Sequence, residues 1–175
     1  MLTVSLTELD RTGPIRLRDE ISGDDPLWSD WAGELISPVS VDVKVSATPT
    51  GQVVALGRFQ ARLGRECRRC LEPVEVSLDE ELTLLWVPPD RRRGAPSDTD
   101  ENEGVRQLDP VGDQLDLSPA IREEVVLAAP VFVTCRDDCR GLCPVCGINL
   151  NQETCDCDPD EPDPRWDALR ALTED

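Results

Sequence analysis

An α+β fold is predicted for this chain: an antiparallel β-meander, partly closed as a sheet, with one packed helix and a cysteine-rich module at the C-terminus. Three features carry that expectation. Val39, Val41, Val43 and Val45 alternate with polar residues, the period of a half-buried strand. Ser118-Pro119, followed by Ile121, Val125 and Val126 on one side, marks the clearest helix start. The chain holds eight cysteines, which fall in pairs, and no histidine.

Along the chain, the first 36 residues carry a weak signal. Leu2, Val4 and Leu6 alternate as in a strand, whereas Trp28, Trp31 and Leu35 have helical spacing and are read as core. The strand that begins at Val39 ends at a turn, Pro49-Thr50-Gly51. A second strand is expected from Gln52 to Glu66 and a third from Val74 to Trp86, with Cys67-Arg68-Arg69-Cys70 at the hairpin tip between them. Burial of one sheet face makes Val53, Ala55, Phe59, Ala61 and Leu63 core candidates. Residues 88–104 combine two prolines, three consecutive arginines and a run of acids with almost no apolar residue, so a mobile loop is expected there. In the helix, Ser118 is expected as the N-cap and Pro119 as the first helical residue, with Pro130 as the stop. A last short helix is expected from Asp163-Pro164, carrying Trp166, Leu169 and Leu172. The division that results is a core over 1–134 and a cysteine-rich module over 135–175.

Composition narrows the function classes. With 36 acidic against 18 basic residues the formal net charge is −18, which repels phosphate and attracts basic partners. Two phenylalanines and no tyrosine leave little for base-stacking platforms. Arg58, Arg62, Arg65, Arg68 and Arg69 form the one cationic region, a candidate RNA-phosphate contact. The same arginines would also offset negative charge on nearby thiolates and pair with neighbouring acids. Without histidine neither a Ser-His-Asp triad nor a Cys-His dyad can be built. No glycine-rich phosphate loop or dinucleotide fingerprint occurs either, so no enzyme activity and no small-molecule substrate are expected. Met1 to Gly13 carries Glu8 and Asp10 and lacks the basic start and apolar run of a signal peptide. No stretch approaches the roughly 20 apolar residues that span a bilayer. A cytoplasmic protein with no membrane partner is expected.

The cysteine pairs are Cys67-x2-Cys70, Cys135-x3-Cys139, Cys143-x2-Cys146 and Cys155-x-Cys157. In a chain that is not exported thiols stay reduced, which favours metal ligation over disulfides. Eight thiols make two all-cysteine sites, and two zinc ions are expected, with an iron–sulfur cluster as the other metal reading. Two pairings use every thiol. In one, Cys67 and Cys70 join Cys135 and Cys139, and Cys143, Cys146, Cys155 and Cys157 close locally as a zinc-ribbon-like module. In the other, Cys135 to Cys146 form one cage and the last pair meets Cys67 and Cys70. The first is preferred, because the second crowds four sulfurs into twelve residues.

The string Glu66-Cys-Arg-Arg-Cys-Leu-Glu-Pro73, the helix and proline over Leu117 to Pro130, and Cys135-x3-Cys139-Arg-Gly-Leu-Cys-Pro-Val-Cys-Gly-Ile-Asn-Leu-Asn151 together resemble the YceD family, the large ribosomal RNA subunit accumulation proteins. Asp163-Pro-Arg-Trp-Asp-Ala-Leu169 is similar to that family's ending. The resemblance implies a non-enzymatic role in synthesis, processing or stability of 23S ribosomal RNA, in 50S ribosome assembly. A basic large-subunit ribosomal protein, ribosomal RNA, or both are the partners it implies. A zinc-ribbon adaptor between proteins, for example in transcription, is the alternative from another class.

Overall fold

The alternating apolar residues become the buried face of a sheet in the structure, a computed structural model that describes residues 2–88, 105–109 and 111–157. The described chain is α+β and mostly sheet. It divides into two units, Met1–Arg65 with Glu75–Val131, and Glu66–Val74 with the chain from Phe132 onward.

The first unit is built on long strands. β1 (Thr3–Ser5) leads into α1 (Leu6–Thr12), followed by β2 (Ile15–Ile21), a single 3-10 turn (Pro26–Trp28) and the two-residue β3 (Glu34–Leu35). Then come β4 (Val39–Ala47), β5 (Val53–Glu66) and β6 (Pro73–Val87), within one residue of the expected strand bounds at most ends. β7 (Val105–Gln107), β8 (Gln114–Asp116) and α2 (Ser118–Ala128) complete the set. The main sheet has the order β2-β4-β5-β6-β7, with β3 also paired to β5, while β1 and β8 form a separate two-stranded ribbon.

β4 pairs antiparallel with β2 and β5, placing Val43 between Leu17 and Gly57. Val39, Val43 and Val45 are fully enclosed, as are Ala55, Phe59 and Leu63 of β5, and Val41, Val53 and Ala61 are nearly so. Each such valine, leucine or phenylalanine side chain contributes roughly 1.5–3 kcal/mol relative to leaving it in water. Gly57 occupies the inward row too, but a Cβ there would lie 2.0 Å from the carbonyl oxygen of Asp42, so only glycine lets β5 approach β4 this closely. The six residues joining β5 to β6 are too few for a parallel crossover, so the two strands form a hairpin whose tip carries Cys67 and Cys70.

Several expectations change. The sheet is open among the described residues rather than partly closed, because β2 and β7 are its unpaired edges. Its last strand is not part of an antiparallel meander either: β7 runs parallel to β6, as the long stretch after Val87 permits. Leu6 opens a helix instead of continuing a strand, since Ser5 accepts a hydrogen bond from the Glu8 amide (3.1 Å) and caps α1. Trp28 and Trp31 are in contact, with ring centroids 5.7 Å apart, but on a 3-10 turn and the chain after it, and Leu35 lies on a strand. Asp25 and Pro26 start that turn and Gly33 interrupts any longer helix. In α2 the cap is Leu117, not Ser118; the Asp116 carboxylate instead accepts from the Ser118 amide at 2.9 Å. Ala120, Ile121 and Val125 of α2 belong to the buried cluster. Of the expected loop over 88–104 only Pro88 is among the described residues, and the expected helix after Asp163 lies outside them.

A carboxylate ties the N-terminal ribbon together. Asp113 accepts from Ser5 Oγ (2.7 Å), from the Thr7 amide (2.9 Å) and from Thr7 Oγ1. The hydrogen bonds from Thr7, then Ser5, hold its pKa below the ordinary carboxylate value. A carboxylate stabilised in this way supports the fold above the unfolded pKa of about 3.9 and loses that effect as pH falls through its folded value. Asp113→Ala is therefore expected to melt at a lower temperature than the parent at pH 6. The difference should close as pH drops below about 4, and thermal denaturation of both proteins across that range checks it.

Candidate metal centres

The second unit is organised by two turns with the same hydrogen-bond pattern. At the hairpin tip the Leu71 amide donates to the Cys67 carbonyl (2.9 Å) and the Arg69 amide points at Cys67 Sγ (3.5 Å). At Cys143-Pro-Val-Cys146 the Gly147 amide donates to the Cys143 carbonyl (2.9 Å) and the Val145 amide points at Cys143 Sγ (3.4 Å). Both turns finish in the left-handed region. Gly147 has φ +77° there and carries no side chain to strain, whereas Leu71 takes φ +61° with a full side chain. Backbone pairing then brings the distant segment to the first turn: Cys67 bridges to Val133, and the Arg68 amide donates to the Val133 carbonyl at 2.9 Å.

These turns assemble two groups of four thiols, Cys67, Cys70, Cys135 and Cys139, and Cys143, Cys146, Cys155 and Cys157. Within each group all sulfurs lie within 4.8 Å of one another, which is the first of the two pairings considered above. Cys67 Sγ is 3.8 Å from Cys139 Sγ, and Cys70 Sγ is 3.6 Å from Cys135 Sγ. Four thiolates bound tetrahedrally to one ion at about 2.3 Å stand about 3.8 Å apart, so the first cage already has the dimensions of a tetrathiolate metal site. The separations are far from the roughly 2.05 Å of a disulfide. Each cage can hold one metal ion with all four positions filled by protein.

The thiols themselves show why an ion suits them. Burial pushes Cys67 up, but amide hydrogen bonds led by Arg69 outweigh it and bring the thiol down to about 6. Cys143 is brought down to about 6 by the amides of Cys146 and Val145. Cys139 is lowered as well, burial being outweighed by hydrogen bonds led by the Asn151 side chain, while other cage-mates move the other way. Cys135 is raised to about 12 by burial and by the surrounding thiols, and Cys157 to about 12 by the Cys146 thiol and burial. Thiolate is favoured at some positions of each cage, and further negative charge at this spacing is repelled. A divalent cation removes that conflict.

The cages differ in enclosure. In the first, Cys67, Cys70 and Cys139 are buried and only Cys135 is exposed; in the second only Cys143 is buried. The first also has an outer layer that the sequence reading missed. Asn151 Nδ2 donates to Cys139 Sγ (3.4 Å) and to Asn149 Oδ1 (2.8 Å), while its own Oδ1 accepts from the Arg140 amide and the Arg136 guanidinium, both at 2.8 Å. Asn149 and Gln152 in turn donate to the Glu72 carboxylate, at 3.1 and 2.7 Å. The signal available was the Asn149-Leu-Asn151 spacing beside two cysteine pairs, but polar residues in a loop carry no period to read.

The five arginines do not form one free cationic surface. Arg58 pairs with Asp79 (2.7 Å) and Arg62 with Glu75 (3.5 Å) across the β5–β6 hairpin. Arg65 lies over the Trp31 ring at 5.5 Å, its Nε buried without a hydrogen-bond partner. Arg69 donates to the Cys139 carbonyl (2.7 Å), and Arg68 lies over the Phe132 ring at 5.7 Å.

Comparison with known proteins bears on these residues directly. A family model described as "Large ribosomal RNA subunit accumulation protein YceD" matches residues 56–173, a span that contains all eight cysteines. A protein of Mycobacterium tuberculosis, named only as uncharacterized, is 35% identical over 131 residues, covering 75% of this chain and 60% of its own length. The chain thus spans about 60% of the length of the mycobacterial relatives it matches. A chloroplastic large ribosomal RNA subunit accumulation protein of Arabidopsis thaliana is 38% identical over 61 residues, 35% of this chain and 19% of its own. The Zea mays protein of the same name is 27% identical over 146 residues, 70% of this chain and 50% of its own. No solved structure matches.

Two outcomes follow from the cages. With ions bound, a colorimetric chelator should remove metal in two phases of equal amplitude, the faster one from the more exposed Cys143 cage. Cys146→Ser should abolish the fast phase and Cys70→Ser the slow one; a single phase would contradict the difference in enclosure. Asn151→Ala should weaken the first cage's hold on its ion by about 10–100-fold, the usual effect of losing an outer hydrogen bond to a metal ligand, as read by competition with a chelator.

Proposed function

The chain belongs to the YceD family, the large ribosomal RNA subunit accumulation proteins, and from that premise we propose that it is a non-enzymatic factor for making or maintaining 23S ribosomal RNA during 50S ribosome assembly. The observation that carries the reading is the family match from Leu56 through both cysteine groups, together with the closed form of those groups. Each cage would hold one zinc ion, the metal that four thiolates in a reduced compartment take most readily. Such an ion supplies structure: with four protein ligands it keeps no open position for a water or substrate.

Partners follow from charge. At −18, the surface suits a basic large-subunit ribosomal protein, with the hairpin-tip arginines turned toward RNA. The cysteine-rich segment 135–175 then acts as a module on the 1–134 core, and the place of action is the cytoplasm. Among the described residues no helix is long and apolar enough to cross a membrane.

Depletion of the protein in its own cells is the test. The ratio of large- to small-subunit ribosomal RNA should fall, and crosslinked, purified protein should carry large-subunit precursors. An unchanged ratio, with RNA polymerase recovered in place of precursors, would sink the proposal in favour of a transcription adaptor. Restoration by the wild-type chain but not by Cys70→Ser would tie the effect to the first cage.

A further inference from the structure

We propose that Arg68 and Phe132 form a stacking site for an unpaired RNA base, an inference that rests on the ribosomal RNA reading and narrows it to two side chains. Phe132 is an aromatic residue with 70% of its surface exposed, an arrangement that needs explanation in a chain with two phenylalanines and no tyrosine. The other phenylalanine, Phe59, is fully buried. Above the Phe132 ring stands the exposed Arg68 guanidinium, 5.7 Å from the centroid. Guanidinium and phenyl are both flat, and both stack on bases.

The pair is held rather than dangling. Arg68 sits inside the Cys67–Cys70 turn, and Phe132 directly precedes Val133, whose carbonyl accepts from the Arg68 amide at 2.9 Å. Backbone bridging at Cys67 and Val133 therefore fixes both Cα positions beside the first cage. A preorganised pair loses less entropy on binding than two free side chains.

Charge selects the ligand. Of the five arginines around the hairpin, Arg58 and Arg62 are paired with acids and Arg69 with a carbonyl. Among the described residues no carboxylate is paired with Arg68. An acidic chain cannot gather RNA by net charge, so a stacked base with one adjacent guanidinium is the contact it can make without a basic surface. A basic protein segment would be repelled by that guanidinium. The site takes single-stranded nucleic acid, because bases in a duplex are already stacked.

The probe is a fluorescent oligouridine of about twelve nucleotides, titrated with the metal-loaded full chain and compared with a duplex RNA of the same length. Single-strand binding should exceed duplex binding. Phe132→Ala and Arg68→Ala should each weaken it by about 5- to 150-fold, the range for loss of one stacked base. Phe132→Trp should retain it, and Arg62→Ala should leave it unchanged. Metal content is measured in every variant, so a loss that accompanies an emptied cage is repeated with Arg68→Lys, which keeps the charge and removes the plane. Equal binding by Phe132→Ala and wild type overturns the proposal, as does preference for duplex or capture of a lysine-rich peptide in place of the RNA. Those results leave the assembly role standing, since accumulation of large-subunit RNA in cells is a separate readout and can run through a basic protein.

Discussion

The second unit has sulfur where other folds have a hydrocarbon core. Its buried cluster is Cys67, Cys70 and Cys139, lined by the partly buried Val74 and Leu142. That much apolar surface cannot offset the conformational entropy of ordering the described segment, which costs roughly 1–2 kcal/mol per residue in backbone alone. Bringing Cys70 and Cys135 together also closes a loop of 65 residues, at about 4 kcal/mol of chain entropy beyond a constant. A structural tetrathiolate ion contributes about 10–16 kcal/mol in zinc-finger peptides, several times the loop-closure cost. The strands of the first unit are under no such constraint, because their alternating residues supply an ordinary apolar core.

How much of this could be read from the residues depended on whether a local period existed. The odd-numbered valines of β4 and the set Val53, Ala55, Phe59, Ala61 and Leu63 have period two and an unambiguous inward face. The cysteine pairing was also legible, because chain length limits which thiols can meet. What stayed hidden lacks period. β8 is three residues long with one buried side chain, and its partner β1 lies more than a hundred residues away. α1 is seven residues long, and the alternation of Leu2, Val4 and Leu6 masked the Ser5 and Glu8 signature that starts it. The parallel return of β7 depends on a connection that no short-range pattern records.

Charge was legible in amount but not in arrangement. A run of arginines in an acidic chain suggests a basic patch, yet β5 and β6 are neighbours, so arginines on one strand meet acids on the next. The same logic holds at the other edge, where Arg16 binds both oxygens of Asp42 at 2.7 Å and, with help from Arg18, holds that carboxyl at about 2. These exposed pairs fix strand register more than they stabilise the fold. They also consume cationic surface that a count of arginines promises, whereas Arg68, placed in a turn rather than on a strand, faces the exposed Phe132 ring.

The two cages are not independent neighbours in sequence that happen to fold side by side. The segment Asn149 to Gln152 is the return path that brings Cys155 and Cys157 back toward Cys143, and it is also the outer layer of the first cage, through Asn151 to Cys139 and through Asn149 and Gln152 to Glu72. Ordering that segment for either cage orders it for the other. The entropy lost on filling one site is then not lost again on filling the second, which is the thermodynamic definition of positive coupling. That coupling is equal in both directions, and enclosure sets the order of filling. The first cage has three buried sulfurs and a built outer layer, so it supplies the ordered segment on which the more open second cage closes.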